Sequence, residues 1–382
     1  MKIAKMRSRR VVVAAAAATV ALFIAACGSG GGSSSGDSGQ ESYVIGATFP
    51  LSGEAASVGE FAVRGAELAA EYLRTNGGPD LRFSWEDSQL DTQVALQATQ
   101  KLVNSGVAAV LSGGSSVLMA QAPVATRDQF LLVNIMAQSP VLAGASEWLF
   151  NILPTSDGEL TELAEIAVKE RGLRTIGMLV VDNDLGSGDA KVLTQEVEAR
   201  GGSVPIVERF PVGATDMRTA LLRIRDVNPD GLYIIGNTDE LGYAISQAKE
   251  LGLRSQLLGR TQSIDPSVLR RAGDAANGMI GVGTIFRPAS DNEVGQRFLR
   301  DYQAAHNGEY PSVYAATTYD GVLLLGEALK TVGDDPARIR DFLRNVTDFP
   351  GAMGAITIGE DNTASYPLVR YEVVNGQVQT AS

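Results

Sequence analysis

The sequence predicts an α/β protein made of two doubly wound parallel-sheet lobes joined by a hinge that the chain crosses three times. Three observations carry this. Short β-branched runs alternate with longer amphipathic segments, the pattern of parallel strands joined by crossover helices. The alternation completes one set by about residue 134 and starts a second near residue 157. The helical segments after residue 290 fit neither set's repeat, so the chain is expected to return to the first lobe.

The N-terminus reads as a leader. Lys2, Lys5, Arg7, Arg9 and Arg10 precede an apolar run, residues 11–26, that is too short and too Ala-rich for a membrane span. Ile24, Ala25 and Ala26 then stand directly before Cys27, the only cysteine among 382 residues. A lipoprotein signal peptidase needs small side chains beside the scissile bond and a thiol to carry the lipid. A lone cysteine is otherwise most often a buried structural residue, but the Gly/Ser-rich stretch that follows can bury nothing and reads as a flexible linker. We therefore expect a signal peptide over 1–26, lipidation at Cys27, a linker over 27–42, and an extracytoplasmic protein held to the membrane by its lipid.

The elements follow in order. In the first lobe, 43–49 is a strand, 57–75 a helix with Phe61, Ala62, Leu68, Ala69 and Tyr72 on one stripe, and 81–86 a second strand. Asp91 caps the next helix, to 105. A strand at 107–111, a helix at 115–128 and a strand at 131–134 complete the set. In the second lobe Asp157 caps a helix to 171. Strand 175–181, helix 185–200, strand 203–210, helix 216–228, strand 231–235, helix 239–251, a short strand at 257–258 and strand 279–284 come next. Helices at 291–307, 312–332 and 336–346 precede strands near 355–358 and 368–374. Pro and Gly interruptions place the hinge crossings near 153–154, 286–287 and 347–351. The first lobe is then 43–153 with 287–346, and the second is 154–286 with 347–382.

Composition narrows the chemistry. Loss of residues 1–26 removes five basic residues and no acidic one, taking the formal charge from −12 to −17. Such a surface argues against nucleic-acid binding, which draws on Lys and Arg. His306, the only histidine, sits at a helix C-terminus, where a positive side chain complements the dipole. One histidine and no exported thiol beyond Cys27 argue against Ser/His/Asp and Cys/His triads and exclude nitrogen- or sulfur-rich metal sites. The pairs Asp182/Asp184, Asp239/Glu240 and Asp334/Asp335 read as loop or cap residues. No strand is followed by a nucleotide-binding glycine motif, and no cofactor is expected.

One glycine-rich segment stands apart. Val110-Leu-Ser-Gly-Gly-Ser-Ser ends a strand and opens a helix. Free N–H groups at that helix start, beside the hydroxyls of Ser115 and Ser116, suit a small anion such as a carboxylate. Simple capping by Ser115 is the alternative; the position at the carboxyl end of a strand favours a ligand.

On these residues the chain resembles the type I periplasmic solute-binding proteins, in the leucine/isoleucine/valine-binding branch that serves ABC importers. The likeness runs through Ile45-Gly-Ala-Thr-Phe-Pro-Leu-Ser-Gly, Gly65-Ala-Glu-Leu-Ala, Gly113-Gly-Ser-Ser and Phe150-Asn-Ile-Leu-Pro-Thr-Ser-Asp. It continues through Thr215-Asp-Met, Pro229-Asp-Gly-Leu-Tyr, Gly273-Asp-Ala-Ala-Asn-Gly and Thr318-Tyr-Asp-Gly. The resemblance implies capture of a small solute between the lobes and delivery to importer permease subunits. By position Ser115 matches the family's carboxylate-binding Ser, and Met136-Ala137-Gln138 matches its Ala-Ala-Thr segment. Two ligand-contacting Tyr fall on Leu185 and Asn237, and the ammonium-binding Glu falls on Thr261. A hydroxyl does not replace a carboxylate opposite a buried cation. Asp239 and Asp320 are the residues that would restore a negative group. Arg260 reads as a solvated loop residue, with reception of an acid group as the alternative.

The resulting expectation is a non-enzymatic, lipid-anchored solute-binding subunit. Small carboxylates, neutral amides and ureas are favoured over ordinary aliphatic amino acids. A ligand-sensing receptor of the same fold is the competing reading.

Overall fold

A computed structural model describes residues 41–53 and 55–380. The leader, Cys27 and the linker up to residue 40 lie outside the described residues, so the lipidation expectation is not addressed by them.

The first sheet has the order β2-β1-β3-β4-β5, all parallel: β1 is Ser42–Phe49, β2 Asp80–Asp87, β3 Val110–Ser112, β4 Leu132–Asn134 and β5 Leu149–Asn151. Its crossover helices are α1 (Ala56–Thr75), α2 (Thr92–Asn104) and α3 (Ser115–Asp128). Asp91 caps α2 as its sequence suggests, its carboxylate accepting from the N–H of Gln93 and Val94 at 2.8 and 2.9 Å. Strand β5 has no counterpart in the sequence reading; its pairing with β4 makes it.

The second lobe opens with α4 (Asp157–Ala164), which continues in wider turns over Glu165–Glu170. Then come β6 (Thr175–Val181), α5 (Asp184–Ala199), β7 (Ser203–Phe210), α6 (Arg218–Val227), β8 (Gly231–Ile235), α7 (Thr238–Glu250), β9 (Gln256–Gly259), α8 (Pro266–Ala272) and β10 (Ile280–Gly283). The parallel part of this sheet runs β7-β6-β8-β9-β10, the same winding as the first.

The chain then returns. Helices α9 (Glu293–Ala305), α10 (Val313–Val332) and α11 (Pro336–Arg344) pack into the first lobe's core through residues such as Phe298, Leu324 and Ile339. The short strands β11 (Phe349–Pro350), β12 (Ala355–Ile358) and β13 (Ala364–Ser365) form a separate three-stranded sheet. Strand β14 (Val369–Val374) extends the second sheet antiparallel to β10, and β15 (Gln377–Thr380) pairs antiparallel with β14 at the edge.

One expected boundary needs correction. Ala352, Ile356, Ile358 and Ala364 are buried in the first lobe's core, so the 349–366 segment packs there and not with the second lobe. Apolar burial decides this: the chain joins the second sheet only where β14 pairs with β10.

Candidate ligand-binding site

Both sheets share the 2-1-3-4-5 winding, and ligands in such sheets sit beyond the carboxyl ends of the strands where the winding reverses. In the first sheet that point lies between β1 and β3, and in the second between β6 and β8. The two points face each other. Pro50 after β1, Gly114 and Ser115 after β3, and Met136, Ala137 and Gln138 after β4 line one wall of a cavity of about 80 Å³. Asn183 and Leu185 after β6, Gly236 and Asn237 after β8, and Gln262 after β9 line the other. Val58, Leu90 and Tyr314 complete an apolar rim. By the water-sized volume of roughly 10–15 Å³ per molecule, this is room for a single small solute.

A buried polar network sets the start of α3. The Thr48 hydroxyl donates to Ser112 Oγ at 2.9 Å, and Ser112 donates to Gln121 Oε1 at 2.7 Å. Gln121 Nε2 reaches Thr48 at 3.0 Å and Thr99 at 2.8 Å. The helix is thus tied to β1, β3 and α2 from within. Gly114 precedes it at φ +88°, and a Cβ there would lie 2.7 Å from a methyl of Leu90, so the approach to the helix N-terminus requires glycine. The Ser115 hydroxyl makes no hydrogen bond among the described residues, and α3 carries no acidic residue in its first turn.

The loop after β4 is shaped by Asn134, whose Oδ1 accepts from the N–H of Met136 and Ala137 at 3.1 and 2.8 Å. The next residues reach the second lobe. The Ser139 hydroxyl donates to the Asp184 carbonyl at 2.8 Å, and Gln138 Nε2 donates to Glu159 Oε1 at 3.0 Å. The lobes are therefore in contact across the site.

Behind the second wall lies a buried ionic cluster. Arg260 is fully buried; its Nε donates to Asp189 Oδ2 at 2.7 Å and to the Tyr233 hydroxyl at 3.0 Å, and its Nη1 lies 3.7 Å from Glu159. Burial works against its charge, but Asp189, Tyr233 and Glu159 outweigh that and raise its pKa, so the guanidinium stays charged. Glu159 in turn accepts from the hydroxyls of Thr261 and Thr284 at 2.5 and 3.0 Å. Asp189 accepts from Ser156 and Tyr233 at 2.7 and 2.6 Å.

Of the sequence-selected residues, the cavity brings together Ser115, Met136, Gln138, Leu185 and Asn237. Gln138 lines it with its amide turned away, the oxygen toward Arg260 at 3.1 Å and the nitrogen toward Glu159. Four others fall elsewhere. Ser116, the second residue of α3, is not part of the lining. Thr261 is spent on Glu159 and faces a second cavity, of about 430 Å³, beyond Tyr314. Asp320 is buried within the first lobe, where it accepts from the N–H of Ala352 and Met353 at 2.5 and 3.0 Å. It fastens the 349–366 segment and does not replace the missing acidic group. Asp239 pairs with Arg271 at 3.1 Å, also away from the cavity.

Arg260 is not a solvated loop residue; two buried carboxylates hold it. Asn183, Gln262 and Tyr314 were not selected from the sequence. Asn183 carried a usable signal as the cap that directly follows a strand. Tyr314 carried none, because it arrives on the returning α10. Among the described residues no cluster of His, Cys, Asp or Glu is arranged to hold a metal ion, and no helix is long and apolar enough to cross a membrane.

Residues 42–377 match the family model described as periplasmic binding protein. The Leu/Ile/Val-binding protein of Escherichia coli (strain K12) is 26% identical over 326 residues, which is 83% of this chain and 86% of that protein. The crystal structure of a leucine binding protein from Thermotoga maritima is similar at a TM-score of 0.83 and 23% identity, covering 89% of this chain and 98% of the other. A solute binding protein of an ABC transporter from R. palustris, in complex with benzoate, is similar at a TM-score of 0.80 and 21% identity, covering 89% and 95%.

Proposed function

The chain belongs to the periplasmic binding protein family, and on that premise we propose that it is the extracytoplasmic solute-capturing subunit of an ABC importer. It is a binding protein, not an enzyme. The observation that carries the reading is the cavity whose walls come from the carboxyl ends of both sheets, so that each lobe supplies one half. In an open form either wall alone meets the solute; closure adds the second set of contacts, and the solute is held by the sum. The closed face formed by both lobes is then what the permease subunits recognise.

The lobes that move are 43–153 with 287–366 and 154–286 with 369–380, about three crossings. Cys27 carries the lipid that keeps the subunit at the membrane. The solute is a small polar molecule of the amino-acid, amide or carboxylate class, in keeping with a neutral lining of Ser115, Asn183, Asn237, Gln262 and the apolar rim.

The test is a thermal-shift screen of the purified protein, freed of carried-over ligand by unfolding and refolding. The panel comprises amino acids, short amides, urea, and aliphatic and aromatic acids, with titration calorimetry on each hit. A 1:1 complex that also compacts the protein in small-angle scattering is the expected result. Absence of any hit across the panel overturns the proposal.

A further inference from the structure

Arg260 decides which way the second wall of the cavity faces. A guanidinium has donors and no acceptor, so any amide that meets it must present oxygen. Nη1 donates to Oε1 of Gln138 at 3.1 Å and also to Oε1 of Gln262. The acceptor end of Gln262 is thereby committed, and the amide turns its Nε2 to the cavity that Gln262 lines, where nothing among the described residues takes its two N–H groups. Asn183 is turned in the same sense, since its Oδ1 accepts from the Gly186 N–H at 3.1 Å and leaves its Nδ2 on the cavity side.

The opposite wall is also rich in donors. It presents the Ser115 hydroxyl and the free N–H groups that begin α3. Among the described residues no Asp or Glu lines the cavity. The two carboxylates just behind it, Glu159 and Asp189, are taken up by Arg260, Gln138, Thr261, Thr284, Ser156 and Tyr233. Among the described side chains an ammonium group closed into this space would meet amide N–H groups and hydroxyls but no carboxylate to offset its buried charge. A carboxylate, or a carboxylate with a second acceptor, would meet donors on both.

We propose that Arg260 is a specificity-determining positioning residue: by holding the Gln262 amide with its N–H groups toward the cavity, it makes the cleft select a carboxylate-bearing solute that lacks an ammonium group. This rests on the solute-capture reading and narrows it.

Matched pairs test it, each differing at the charged group: 4-methyl-2-oxopentanoate against leucine, and benzoate against benzylammonium, titrated by calorimetry into wild type, Gln262→Leu and Arg260→Met. In wild type the acid of at least one pair is expected to bind about tenfold or more tighter than its partner. Gln262→Leu should lose about tenfold of that acid affinity, with a lowered unfolding midpoint because it also removes one acceptor from Arg260, whose Nη1 keeps Gln138. Arg260→Met should lose the same selectivity; since it also strands two buried carboxylates, Gln262→Leu decides the matter if the Arg260 variant fails to fold. Leucine or benzylammonium binding as tightly as the paired acid, or an unchanged acid affinity in Gln262→Leu, overturns the inference and leaves the solute-capture reading standing. If none of the four binds, the wider panel decides. Hits confined to ammonium-free acids uphold the selectivity, hits that carry an ammonium group overturn it, and no hit at all withdraws the solute-capture reading together with it.

Discussion

Ser115 and Asp320 show how residue type and residue environment part company. Ser115 offers its hydroxyl beside the free N–H groups of α3 and has no competing partner among the described residues. Ser115→Ala should weaken ligand binding by about 1–3 kcal/mol while leaving the unfolding midpoint in place, as expected for one charge-assisted hydrogen bond; an unchanged calorimetric affinity would reduce the residue to a cap. Asp320 has a structural role. Burial pushes its carboxyl up from 3.8 to about 7, against the opposing donors Met353 N–H, Ala352 N–H and the Tyr366 hydroxyl. Between about pH 4 and 7 the folded protein therefore holds a proton that the unfolded chain has released. The stability tied to that proton is complete at low pH and is lost as pH rises through 7. Asp320→Asn has no proton to lose, so its stability relative to wild type should improve by about 2–4 kcal/mol between pH 4.5 and 8 in urea unfolding. A pH-independent gap would refute this. The sequence marked Ser115 because a hydroxyl after a strand is a local pattern. It misplaced Asp320 because a carboxylate on a helix looks the same whether it faces a cleft or a loop.

At the scale of elements, close approach matters as much as apolar pattern. Helices α1 and α10 pack backbone to backbone where Gly65 meets Ala315: a Cβ at residue 65 would lie 2.1 Å from the Ala315 carbonyl oxygen. Gly65→Ala should therefore destabilise the protein by about 1–3 kcal/mol or more, despite the better helix propensity of alanine, because the helices must separate. Equal or raised stability in chemical unfolding would show that they can slide apart at little cost. The long elements were legible because a 20-residue helix or a seven-residue strand repeats its period enough to be seen. Thus α3 (Ser115–Asp128), β6 (Thr175–Val181), β7 (Ser203–Phe210) and β8 (Gly231–Ile235) lie where the pattern puts them. Not all of the short ones were: β5, α8, β11, β13 and β15 hold too few residues to show a clear period, and tertiary contacts make them.

For the whole molecule the consequence of two lobes is closure, and Gly188 tests it. This residue of α5 faces the first lobe, where an added Cβ would lie 2.9 Å from Ser139 Oγ and 3.0 Å from Pro140 Cδ. Gly188→Val should hold the lobes apart, weakening ligand affinity about tenfold or more while the ligand-free protein unfolds at its usual midpoint; undiminished affinity and normal compaction in scattering would refute the assignment of this contact to closure. By itself the sequence determined the α/β winding, the division into two similar sets, the return of the chain, and the strand ends that carry Ser115, Met136 and Asn237. Met136 and Asn237 were singled out by the family resemblance; the rest follows from periodicity and from turn and cap residues, which act over a few positions. Only the tertiary structure decided that residues 349–366 belong to the first core, that Asp320 lies out of reach of the cavity, and that Arg260 is buried between Asp189 and Glu159. Those outcomes depend on which distant carboxylates, amides and apolar side chains share one low-dielectric space. Separations such as 71 and 102 residues along the chain leave no local pattern to read.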